Sequence, residues 1–77
     1  MLRNYKNLKR YSIVNTLEDV ESVYRLVYTS DSKKQIIKYY KAMNKSNPYN
    51  PYGIFDKDGK KYEPYIDFSG EQNLLAI

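Results

Sequence analysis

No helix can run through Asn47-Pro48-Tyr49-Asn50-Pro51, because each proline lacks an amide donor and pushes the asparagine before it out of the helical region. The break organises the residues on both sides. Just upstream, Ile36, Ile37, Tyr39, Tyr40 and Met43 share one face at about 100° per residue, the pattern of an amphipathic helix with its apolar side buried. Thr29-Ser30-Asp31-Ser32 offers side-chain oxygens to the unpaired N–H groups of a first turn. The expectation is a helix over 32–45, ended by Asn47-Pro48 and packed through Ile36, Tyr40 and Met43.

The remaining segments read as strands. Residues 23–29 are dense in valine and tyrosine, and Tyr11-Ser12-Ile13-Val14 is a shorter run of the same kind, so two strands joined by the acidic stretch 16–22 are expected. A second arrangement competes with this one. Thr16, Glu18 and Asp19 resemble a capping box, and Leu17, Val20, Val23, Tyr24 and Val27 share a helical face, which would give two helices followed by a β-hairpin. The Val/Tyr density of 23–28 favours strands. Downstream, Ile54-Phe55 and residues 62–66 flank Asp56-Lys57-Asp58-Gly59-Lys60, a hairpin signal because glycine accepts positive φ. Pro64 places the returning strand at an edge or a bulge. The expected architecture is α+β, a small antiparallel sheet with one helix on its face in ββαββ order. Ile13, Leu26, Val27, Phe55 and Ile66 should contribute to its core, with one domain over 1–68 and a tail over 69–77.

Chemistry narrows sharply at this point. The 77 residues contain no cysteine and no histidine, which removes disulfides, thiolate nucleophiles and the common metal ligands. No spacing joins a nucleophile to a base, and no glycine-rich phosphate loop occurs. Asp56-x-Asp58-Gly59 opens like a calcium loop, but lysines 60 and 61 stand where further oxygen ligands and the invariant glycine belong. The expectation is a non-enzymatic protein without cofactor or metal. No apolar run is long enough for a membrane span and no signal-peptide core follows the basic start, so a cytoplasmic location is expected.

What remains points to binding. Thirteen lysines and arginines face nine acids, and the excess sits in two blocks: Arg3, Lys6, Lys9 and Arg10 near the start, and five lysines between 33 and 45. Lys34, Lys38, Lys41 and Lys45 form a stripe opposite the apolar helix face, roughly 16 Å long. Four-apart lysines repel by ~0.2–0.5 kcal/mol per pair, and no acid lies between Asp31 and Asp56 to relieve them. Beyond the helix, the tandem Asn-Pro-Tyr repeat presents Tyr49 and Tyr52 on a stiff loop suited to anchoring in a pocket or stacking on bases. The partner-binding candidates are therefore Lys34, Lys38, Lys41, Lys45, Tyr49 and Tyr52. The acidic run Glu18, Asp19 and Glu21 reads as a solvated segment.

Lys, Asn, Tyr and Ile, all with A/T-rich codons, supply much of the chain. In size, in that composition and in its lack of catalytic residues it resembles the small accessory and inhibitor proteins of bacteriophages and mobile elements, anti-CRISPR proteins among them. The chain departs from the acidic DNA mimics of that group by being basic. It implies an inhibitor or modulator of a host protein or nucleoprotein machine. Direct nucleic-acid binding through the lysine stripe and exposed tyrosines is the alternative, and self-assembly through the apolar tail a third. Three arginines are few for base readout.

Overall fold

The computed structural model describes residues 7–20, 23–49 and 51–77, without the side chains of 17–20 and 23–25. Arg3 and Lys6 of the basic start, and the acidic side chains of Glu18, Asp19 and Glu21, lie outside the described residues. The elements are β1 (Tyr11–Val20), β2 (Val23–Ser30), α1 (Lys33–Ser46), β3 (Tyr52–Asp56), β4 (Lys61–Ile66) and β5 (Gln72–Ala76). They make one antiparallel sheet in the order β2-β1-β3-β4-β5, with α1 across one face against β1, β2, β3 and β5.

The ββαββ order is present, and the strand reading of 11–30 prevails over the helical one. Valine and tyrosine fit a pleated, half-buried surface better than a helix interior. Helix α1 begins where its cap directs: the Ser32 hydroxyl accepts from the Gln35 N–H at 3.3 Å, and the helix ends at Asn47 before Pro48.

The expected tail is a fifth strand. β5 pairs with β4 from Tyr62↔Ala76 to Ile66↔Gln72, turning at Asp67-Phe68-Ser69-Gly70-Glu71. The Asp67 N–H donates to the Glu71 carbonyl at 2.9 Å and the Gly70 N–H to the Asp67 carbonyl at 3.0 Å. Gly70 has φ +83, which glycine adopts without a Cβ penalty.

Side chains sort by the alternation of the strands. Toward α1, Tyr11, Ile13, Ile54 and Ile36 form the core, with Tyr28, Tyr40, Met43, Tyr52, Tyr62 and Leu74 packed around them. On the other face Val14 and Phe55 are buried beside Leu8 and Leu26. Buried Ser12 is satisfied, its hydroxyl donating to Thr29 Oγ1 at 3.2 Å while Thr29 donates to the Tyr11 carbonyl at 2.9 Å.

Three expected core residues are exposed instead. Val27 is skipped by a register shift, since Ile13 pairs with Tyr28 and Val14 with Leu26, and the extra residue of such a bulge is left unpaired. Ile66, 67 % exposed, ends β4 beyond the last β3 partner. Tyr39 lies at the flank of the helical stripe, exposed but against the Tyr28 ring at 4.6 Å.

Pro64 also sits differently from expectation. β4 is an interior strand, yet its pairing with β3 covers only Tyr62 and Lys61. The Asp67 and Ile77 amides bond across to Glu71 and Lys61, so odd-numbered β4 residues bond β5 and Pro64 faces the other way, past the end of the β3 ladder. Its missing donor costs the sheet no bond.

Candidate anion-binding groove

A groove of about 1080 Å³ runs between α1 and β5, lined by Lys33, Lys34, Gln35, Lys38, Lys41, Glu71 and Gln72. Two elements build it. The helical period places Lys34, Lys38 and Lys41 on neighbouring turns, and the β4–β5 hairpin brings Glu71 and Gln72 up beside them. Four lysines against one carboxylate leave the groove strongly positive.

The lysines differ in what holds them. Lys33 Nζ donates to Asn73 Oδ1 at 2.7 Å, the same oxygen that accepts from the Leu74 N–H at 2.9 Å. Lys34, Lys38 and Lys41 have no hydrogen-bond or ion-pair partner among the described residues. Among the described residues no ion pair offsets their mutual repulsion, and an anion in the groove would relieve it. Lys45 lies in the last helical turn, outside the groove lining, where its charge suits the negative end of the helix dipole.

The two loop tyrosines part company. Asn47 Oδ1 accepts from the Tyr49 N–H at 3.1 Å, a local turn that leaves Tyr49 79 % exposed. The second repeat is sewn to the sheet instead. The Pro51 carbonyl accepts from both the Thr16 N–H at 2.9 Å and the Thr16 hydroxyl at 2.6 Å, and Tyr52 packs against the core with its N–H on Asn44 Oδ1 at 3.4 Å. Tyr52 is thus half-buried against the core, while Tyr49 is displayed. Of the four expected lysines and two tyrosines, Lys34, Lys38 and Lys41 line the groove and Lys45, Tyr49 and Tyr52 do not, while Lys33, Gln35, Glu71 and Gln72 join the three. Glu71 and Gln72 fall where the sequence reads as tail, whereas Lys33 and Gln35 lie on the helix beside the lysine stripe. The signal was in the sequence, since Asp67-Phe68-Ser69-Gly70-Glu71 repeats the turn grammar of Asp56-Lys57-Asp58-Gly59-Lys60.

A second concavity, about 480 Å³, is lined by Arg10, Tyr11, Asp56, Lys57, Asp58 and Tyr62. Its most reactive group is already occupied. Asp56 accepts from the amides of Asp58 and Lys60 and from the Tyr62 hydroxyl, each at 2.9 Å. Burial pulls the Asp56 carboxyl upward, but these hydrogen bonds and the Lys60 charge outweigh it and hold it below its ordinary value. The same hydrogen bond pushes the Tyr62 hydroxyl up. This is a turn-stabilising carboxylate.

Among the described residues no group of three possible metal ligands occurs, and no helix is long and apolar enough to cross a membrane. Comparison with protein families, with curated proteins and with solved structures finds no match. The reading of this chain rests on its own groove.

Proposed function

We propose that the chain is a small non-enzymatic binding protein of the cytoplasm that sets its lysine groove against an anionic surface of a host protein or nucleoprotein machine and inhibits or modulates it. Size and composition support placing it with phage and mobile-element inhibitors, the anti-CRISPR class among them. One observation carries the reading: Lys34, Lys38 and Lys41 converge with Lys33 on a single groove, and three of the four have no partner among the described residues. An ordinary solvated helix intersperses acids at four-residue spacing and gains from the pairs. Here the repulsion is retained, at a cost that binding would recover.

Direct nucleic-acid binding is a second reading, favoured by the same free lysines, whose spacing suits successive phosphates. The scarcity of arginine, three in the chain, weighs against it. Affinity capture from a low-GC bacterial lysate, with and without nuclease, separates the two. The inhibitor reading expects a discrete protein or nucleoprotein partner retained after nuclease and lost as salt rises. Capture abolished by nuclease and restored by purified DNA or RNA would replace it with the second.

A further inference from the structure

We propose, resting on the groove reading above, that the groove takes an extended acidic segment of a partner protein by strand addition to β5. β5 ends the sheet, so among the described residues no further strand pairs with its outer side. The Asp67–Glu71 and Ile77–Lys61 bonds fix which residues face β4, and by alternation the backbone groups of Gln72, Leu74 and Ala76 point outward. An edge of this kind is a template for an added chain, and grooves between an edge strand and a helix are a recurring way to bind extended peptides.

Asn73 shows what the edge accepts. Its side-chain oxygen already takes the Leu74 N–H and the Lys33 ammonium together, at 2.9 and 2.7 Å. An incoming strand supplies the same two acceptors, a main-chain carbonyl for Leu74 and a carboxylate for Lys33. The Asn73 amide is thus an internal substitute that blunts the edge until a better ligand displaces it. Alternation also sets the ligand's pattern. Side chains of an added strand on the helix side meet Lys34, Lys38 and Lys41 and should be acidic, while those on the other side lie beside Leu75 and Ile77, 58 % and 67 % exposed, and should be apolar.

The test is a titration of the isotope-labelled full chain, followed by amide NMR and hydrogen exchange, with a blocked peptide of alternating glutamate and valine. Controls are the same peptide with proline at alternate positions and a thymidine oligonucleotide. The proposal expects shifts along α1, slowed exchange at Gln72, Leu74 and Ala76, and little binding of the proline peptide, which cannot complete a ladder. Asn73→Ala should tighten the alternating peptide by about fivefold, since the ligand no longer has to displace the bonds of the Asn73 oxygen. Lys38→Gln and Lys41→Gln should each weaken it about threefold at low salt. Equal binding of the proline peptide, or shifts on α1 without edge protection, would overturn strand addition while leaving the anionic groove intact. Preference for the oligonucleotide would overturn the acidic segment. Silence toward all three ligands would count against the groove itself.

Discussion

Two hairpins built on the same turn meet opposite fates in this molecule. In Asp56–Lys60 and in Asp67–Glu71 the first aspartate accepts through Oδ1 from the amides two and four residues on, at 2.9 to 3.0 Å. In each, glycine at the fourth position has φ near +84 and donates to the first carbonyl. The flanking strands differ. β3 carries Gly53, Ile54 and Phe55, all buried, whereas β5 carries Leu75 exposed and Leu74 only half-buried. One tip holds Lys57, the other a fully exposed Phe68. Turn chemistry therefore determines that a hairpin forms, and burial determines what it is for. The first belongs to the core, while the second, paired with β4 over five residues and touching the core through Leu74, buries little else and lies at the margin of the sheet.

The sharpest break in the comparison comes from truncating each hairpin's apolar residue. Ile54→Ala removes a side chain with no exposed surface and should cost ~2–5 kcal/mol, which denaturant melts would register as loss of most of a small domain's stability. Leu75→Ala should cost under ~1 kcal/mol. Equal losses would mean that β5 belongs to the core.

Gly53→Ala should cost ~1–3 kcal/mol by overpacking, because a Cβ there would stand 2.9 Å from Phe55 Cε1 and 3.5 Å from Thr16 Cγ2. Gly70→Ala meets nothing within 4 Å and carries only the left-handed backbone penalty of ~1–2 kcal/mol. Hydrogen exchange should then show Gly70→Ala opening β5 alone, whereas Gly59→Ala, with the same conformation, lowers protection in β3 and β4 as well.

A smaller effect separates the two aspartates by pH. Asp67 is also held below its ordinary value, first by the Ser69 hydroxyl and then by the Glu71 amide. A depressed folded pKa contributes stability that is complete above the unfolded value and is lost as pH falls through the folded one. Acid titration should therefore loosen both hairpins below about pH 4, with Asp56→Asn removing part of the acid sensitivity of the global melt and Asp67→Asn only that of β5. Smallest of all, Phe68→Lys should leave the melt within ~0.5 kcal/mol, since nothing buries that ring.

The same contrast explains what could be read from the residues alone. The helix was legible because Ser32, the spacing from Ile36 to Met43 and Pro48 all agree. The first hairpin was legible because apolar residues flank Asp58-Gly59. The second escaped because Gln72, Asn73 and the single leucine pair carry no strand alternation, and Ser69-Gly70 is a weaker signal than Asp-Gly. Without β5 the lysine stripe is legible but not its opposite wall, Glu71 and Gln72. The different setting of Tyr52 is not legible in the sequence. Its loop repeat is identical to that of Tyr49, and contacts distant in sequence, the Thr16 bonds to Pro51 and the pairing of Tyr52 with Asn15, hold Pro51 and Tyr52 against the sheet.

The central claim is that position, not total charge, makes the lysines a binding site, and one pair of charge-matched variants tests it. Lys34, Lys38 and Lys41 changed together to Glu reverse the groove, while Lys57, Lys60 and Lys61 changed together to Glu make the same net change around the first hairpin, where all three are exposed. Capture of the partner by both folded variants should be measured at one salt concentration. The account predicts near-complete loss with the first and near-normal binding with the second. Equal loss with both, or none with either, would contradict it.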